Sequence, residues 1–163
     1  MTLKKRFIML YFLMVLTPGM AMAGGCYKPN EAEAEQGIRI HSELMVIGLQ
    51  CMHMATANGK NLYVAYNQFT NEHADLFGGY ETTMMAYFRK NGVSNPEREM
   101  HTIRTAFANK ISKDAANMRP DIFCKQYSPR IVQATAMTKD ELRQWAATIY
   151  PSHPVSKPLC AGG

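Results

Sequence analysis

The stretch LYVAYNQFTNEHADLFGGYETTMMAYFRK, residues 62–90, decides the fold class. Leu62, Tyr66, Phe69, His73, Leu76, Tyr80, Thr83 and Tyr87 step through it by four and three. That is the period of one helix face, because side chains three and four apart stand above one another on a 3.6-residue turn. The spacing predicts one long helix over 62–90, stopped by Asn91-Gly92, where glycine accepts positive φ. Gly78-Gly79 lies inside it. Each glycine weakens a helix by about 1 kcal/mol relative to alanine, so the pair is expected to mark a bend or a close approach of another backbone.

Working outward, Ile40, Leu44, Ile47, Cys51 and Met54 form a similar stripe, and a first helix is expected over Glu31 to Ala57, ended by Asn58-Gly59. On the other side, Ser94-Asn95-Pro96-Glu97 opens a third helix: Ser94 or Asn95 can cap it, and proline fits a first turn whose N–H has no helical partner. Met100, Ile103, Phe107, Ile111, Ala115 and Met118 are its expected buried face. Arg119-Pro120-Asp121 ends that pattern. Ile122, Phe123, Cys124, Tyr127 and Ile131 suggest a fourth helix, interrupted at Ser128-Pro129. Thr138-Lys139-Asp140-Glu141 fits a capping box, opening a fifth helix with Leu142, Trp145, Ala146 and Ile149 on its apolar side. Three prolines beyond Tyr150 leave an extended tail. There is no useful strand alternation and no internal repeat. The expectation is an all-α bundle of four to five helices in a single domain, residues 24–163.

The beginning of the chain reads as an export signal. Lys4, Lys5 and Arg6 run into the apolar residues Phe7 to Leu16, Pro18-Gly19 breaks the run, and Ala21-Met22-Ala23 offers small residues to a signal peptidase. Cleavage is expected after Ala23, giving a periplasmic or secreted protein. Ten apolar residues are short of the roughly 20 that cross a bilayer, so no transmembrane segment is expected in the mature chain. Ala23-Gly24-Gly25-Cys26 admits an alternative, a lipoprotein anchored through Cys26. The formal charge of +5 includes those three cations and no acid precedes the cut, which leaves about +2 beyond it. No Lys/Arg cluster remains, the charges read as solvated helix faces, and nucleic acid is excluded as a partner.

Four cysteines, Cys26, Cys51, Cys124 and Cys160, follow the cut. In an oxidising compartment they read as two disulfides, with three connectivities allowed. Cys51 with Cys124 in the core and Cys26 with Cys160 across the tails is preferred, because the first two sit within helical patterns and the others in Gly- and Pro-rich ends that would fray. Zinc is disfavoured by the absence of short Cys-x-x-Cys or Cys/His spacing.

Chemistry is harder to find. Cys51-Met52-His53-Met54 offers soft ligands, but consecutive helical residues point in different directions; His41, Met45 and Met52, which would share a face, are the metal candidates. Tyr66, Phe69, His73 and Tyr80 are the ligand-binding candidates on an aromatic-rich helix that also serves as core. His73 has Glu72 and Asp75 beside it, both pointing off the stripe. Glu43, Glu72 and Glu81 are the carboxylates open to hydrolytic work. No nucleophile elbow, His-Glu-x-x-His or P-loop occurs, no catalytic residue is assigned, and no cofactor is expected.

Glu43-Leu-Met-Val46 leading to Cys51, Tyr66-Asn67-Gln68-Phe69, and Phe123-Cys124 together resemble a group of small exported proteobacterial proteins of unknown function. The match spans Ile38 to Tyr127 and omits the ends bearing Cys26 and Cys160. The resemblance implies a shared helical framework with a Cys51–Cys124 bridge and carries over no functional residue. The functional expectation is a non-enzymatic module for a protein or envelope partner. The alternatives are a binder of a small apolar ligand or metal, and an envelope hydrolase.

Overall fold

The computed structural model describes residues 25–161, so the expected signal peptide and cleavage position lie outside the described residues. Helices run over Pro29–Gln50 (α1), Leu62–Glu72 (α2), Ala74–Lys90 (α3), Pro96–Asn117 (α4), Pro120–Tyr127 (α5), Pro129–Ala134 (α6) and Lys139–Ala147 (α7). Among the described residues only isolated β-bridges accompany them. The fold is all-α, and it reduces to five helices when α2–α3 and α5–α6 are each counted as one interrupted helix.

Local chemistry explains the boundaries. The Asn95 side chain accepts from Arg98 N at 2.9 Å, and Pro96 follows it at the first helical position. Thr138 and Glu141 form the reciprocal capping box of α7, with Glu141 Oε2 accepting from Thr138 N at 2.8 Å. Pro129 has no N–H to continue α5, so the chain restarts as α6.

Two boundaries differ from expectation. α1 ends at Gln50, a full turn and more before Ala57. Cys51 caps it and is bonded to Cys124, and residues 52–61 close a loop through the Ala55–Asn61 bridge and a Leu62 N to Met54 O bond of 3.1 Å. The long helix over 62–90 is interrupted at His73, whose ψ is 20°. Helical bonds still run across it, His73 N to Phe69 O and Phe77 N to His73 O, both 3.1 Å, so the interruption is one residue wide. Gly78-Gly79 marks no close approach of another backbone: both face solvent within a continuous α3, and nothing lies within 4 Å of where a side chain would begin.

α1 is the hub, packing against each of the other helices. Its C-terminal half contributes Leu44, Val46, Ile47 and Cys51 to one continuous apolar core with Leu62, Phe69, Met84, Phe123, Ile131 and Leu142. The disulfides are Cys51–Cys124, buried in that core, and Cys26–Cys160, which joins the two ends. The ends are also hydrogen-bonded: Tyr27 N donates to Pro158 O (2.8 Å) and Cys160 N to Tyr27 O (2.9 Å). A Cys26 sulfur used this way has no valence left for a lipid thioether. No helix among the described residues is long and apolar enough to cross a membrane.

A candidate anion-binding cleft beside the first helix

The N-terminal half of α1 is unlike its other half. Glu31, Glu35, Gln36, Arg39, Ser42 and Glu43 are all buried. This corrects the reading of the charged residues as solvated helix faces: spaced by about four, they form a polar stripe that the C-terminal tail and α6 cover. Ser42 satisfies itself by donating to Ile38 O at 2.8 Å. The other groups need partners from elsewhere in the chain.

The tail supplies several. Glu35 accepts from the Tyr27 hydroxyl at 2.6 Å and from Ser156 N at 2.7 Å, so both its oxygens are engaged. Gln36 Nε2 donates to His153 O at 3.0 Å. Burial and the neighbouring Glu35 push the Tyr27 hydroxyl far above its ordinary value, so it stays a donor. The Cys26–Cys160 clasp therefore holds in place the segment that completes the polar stripe.

Glu43, 2% exposed, is the hub of the stripe. Arg130 Nη2, brought in by α6, lies 2.6 Å from its Oε2. Arg39 Nη1 and His153 Nε2 each stand 3.9 Å from its Oε1, beyond hydrogen-bond range. Arg39 is 7% exposed and its Nε has no partner. Burial pulls its guanidinium below the ordinary value, with Glu43 opposing. Burial and then the Arg39 charge lower the His153 imidazole, so it is mainly neutral at pH 7, and its Nδ1 lies 2.8 Å from Ser152 Oγ.

Arg39, Arg130, Trp145, Tyr150, Ser152 and His153 line a cavity of about 310 Å³ over this stripe. It adjoins a groove of about 490 Å³ along α6 and α7, to which Gln133, Met137, Glu141, Gln144 and Thr148 contribute. Arg130, Trp145 and Tyr150 belong to both, and Tyr150 is 48% exposed. Lys110 on α4 reaches the rim, 3.2 Å from Ser152 O. Two guanidiniums and an aromatic pair thus line one open concave surface with Lys110 at its rim, chemistry suited to an anion attached to an apolar group.

The residues singled out from the sequence lie elsewhere. Tyr66, Phe69 and Tyr80 are buried core residues, and half-buried His73 packs its ring on Phe69 at 5.1 Å. The Tyr80 hydroxyl donates to Glu33 at 3.0 Å. His41 uses Nε2 on the Tyr66 hydroxyl at 3.3 Å and packs against Phe77; burial, then Arg104, lower its pKa against the pull of Glu81. Met45 is one turn along α1, but Met52 falls past the helix end and is 52% exposed, so the three do not share one helical face. Among the described residues no group of three or more His, Cys, Asp or Glu side chains converges on a metal-sized space. Glu72 accepts from Gln68 (2.7 Å) and Glu81 pairs with Arg104. Of the named carboxylates only Glu43 touches the cleft, beneath its lining and through Arg130. Arg39, Arg130 and His153 were missed; the available signal was the four-residue spacing of Glu31, Glu35, Arg39 and Glu43, a charged row that runs along the flank of the apolar stripe of α1.

No known protein family, curated protein or solved structure matches the chain.

Proposed function

We propose that this chain is exported by a signal peptide cleaved after Ala23 and works in the periplasm or outside the cell as a non-enzymatic module that binds a protein partner in the groove along α6 and α7. One observation carries the reading. Half-buried Trp145 and exposed Tyr150 flank a groove that opens to solvent over a charged cavity, and accessible aromatics beside a concave polar site are the residues on which protein recognition concentrates. Two disulfides and the lack of a membrane-capable helix among the described residues are compatible with that compartment. The test is a photo-crosslinking residue placed at Tyr150 or, as control, at exposed Thr82 of α3, in the exporting bacterium. A discrete adduct from position 150 alone supports the reading; the same adducts from both positions, or none from 150, contradict it.

A second reading, a carrier of a small apolar ligand, rests on a cleft of about 320 Å³ among α2, α6 and the 51–61 loop. Ala65, Phe69, Val132 and Ala136 give it apolar walls. Solvatochromic dye binding that is lost on Val132→Trp would favour it over the groove.

A further inference from the structure

We infer that the partner bound in the groove presents an acidic segment, with a carboxylate seated against Arg39 and Arg130 and an adjacent apolar side chain against Trp145 and Tyr150. The inference rests on the groove being the recognition surface and names the chemistry it recognises. Its basis is an unbalanced set of donors. A guanidinium carries five N–H groups, and one taken out of water is ordinarily matched by acceptors. Arg39, buried beyond nine-tenths, makes no hydrogen bond to a described residue, and its Nε is both shielded and unpartnered.

Neither nearby acid fills that role. Glu43 gives one oxygen to Arg130 at 2.6 Å and stands 3.9 Å from Arg39 with the other. Glu35, one turn before Arg39 on α1, has both oxygens committed to Tyr27 and Ser156. Lys110 adds a further positive charge at the rim, while burial and the Arg39 charge hold the His153 imidazole below the ordinary histidine value. The described lining of the cavity carries Arg39 and Arg130 and no carboxylate, and the acid in the groove, Glu141, is turned to its own N-cap, where it accepts from Thr138 N at 2.8 Å. A carboxylate entering the cavity supplies an acceptor to the guanidiniums of Arg39 and Arg130 that line it, a charge-assisted bond stronger than a neutral one. The cavity of about 310 Å³ is large enough for such a group, and the continuing groove leaves room for the chain that bears it.

Trp145 is the chain's single tryptophan, so its indole N–H gives one unambiguous signal from the groove, and the Arg39 Nε–H reports the cavity. The experiment titrates ¹⁵N-labelled, disulfide-intact protein with N-acetyl-Phe-Asp-amide, with the isosteric N-acetyl-Phe-Asn-amide, and with acetate. Both signals should move saturably with the acidic dipeptide, which should bind at least about tenfold more tightly than its amide, the factor one charge-assisted bond supplies. Acetate should move Arg39 alone and bind more weakly. Arg39→Met should remove the preference for acid over amide while the rest of the spectrum is retained; should that variant not fold, the acid–amide ratio in the wild-type protein decides. Equal binding of acid and amide at Trp145 overturns the carboxylate inference and leaves the groove reading standing. Silence of both signals with all three probes overturns both. Acetate binding as tightly as the acidic dipeptide also overturns the inference, because it identifies a free-carboxylate site with no role for the aromatic wall.

Discussion

The two halves of α1 are equally buried but held by different forces. From Leu44 to Cys51 the helix is enclosed by apolar side chains of α2, α5 and α6, and closed off by the Cys51–Cys124 bridge. From Glu31 to Glu43 it buries four charged side chains and Gln36 beneath a tail that has little regular structure, secured at Cys160. An apolar half needs only shape and volume. A polar half needs every partner in place, and here two are missing: among the described residues, Gln36 Oε1 and Arg39 Nε are the buried side-chain atoms left without a bond. On the proposed reading, the apolar half holds the fold and the polar half, at some cost in stability, receives the partner's carboxylate.

The largest expected difference lies in the disulfides. Replacing both Cys51 and Cys124 by alanine should destabilise the domain by about 4 kcal/mol in the chain-entropy model, read as a lower urea midpoint with two-state behaviour retained. The Cys26–Cys160 pair closes a longer span, 134 residues against 73. Its removal should show first as local release of the tail. Amide exchange should accelerate at Tyr27 and Cys160, whose N–H groups bridge the ends, before the α1–α4 core loses protection. Uniform acceleration across both regions would erase the distinction between them.

Next comes charge. Glu43→Gln leaves two guanidiniums without their shared acid and should cost about 3 kcal/mol, measured by chemical denaturation. A loss below about 1 kcal/mol would mean that the stripe is wetter than its burial indicates. Glycine gives a smaller contrast along the same helix. A Cβ at Gly37 would fall 2.2 Å from the Tyr80 ring, so Gly37→Ala should cost about 2 kcal/mol. At Gly48 the nearest atom is 3.4 Å away, in ordinary contact, so Gly48→Ala should be neutral or stabilise by up to about 1 kcal/mol.

Acidification gives the smallest effect. His153, facing Arg39, Glu43, Lys110 and Arg130, and His41, facing Arg104 and Glu81, both titrate below the ordinary histidine value when folded. The unfolded chain therefore takes up protons first, and stability should fall as pH drops through about 6.5 and level off below the folded pKa values. His153→Asn should flatten part of that slope in denaturation curves collected between neutral and mildly acid pH; an unchanged slope would remove His153 from the account.

What the sequence made legible follows the same division. The caps at Asn95 and Thr138, the interruption at Ser128-Pro129 and the apolar stripes are local signals, set by residues within a turn or two of one another. The end of α1 at Gln50 depends on a loop closed from Asn61 and on a bridge to Cys124, and the one-residue break at His73 has no proline or glycine to announce it. The cleft was least visible. Arg39 and Glu43 look like surface charges until the tail, more than 100 residues away in sequence, is laid over them, and only the three-dimensional pairing distinguishes a buried polar stripe from a solvated one.

The most direct test of that division is the stability of Arg39→Met, measured by urea denaturation of the disulfide-intact protein. Methionine fills a similar volume without donors, while Glu43 keeps its 2.6 Å bond to Arg130. The account predicts that the variant is as stable as the parent or more stable by about 1 kcal/mol, as expected where a charge is retained for recognition and not for folding. A loss of about 3 kcal/mol would contradict it and make Arg39 a strut of the fold.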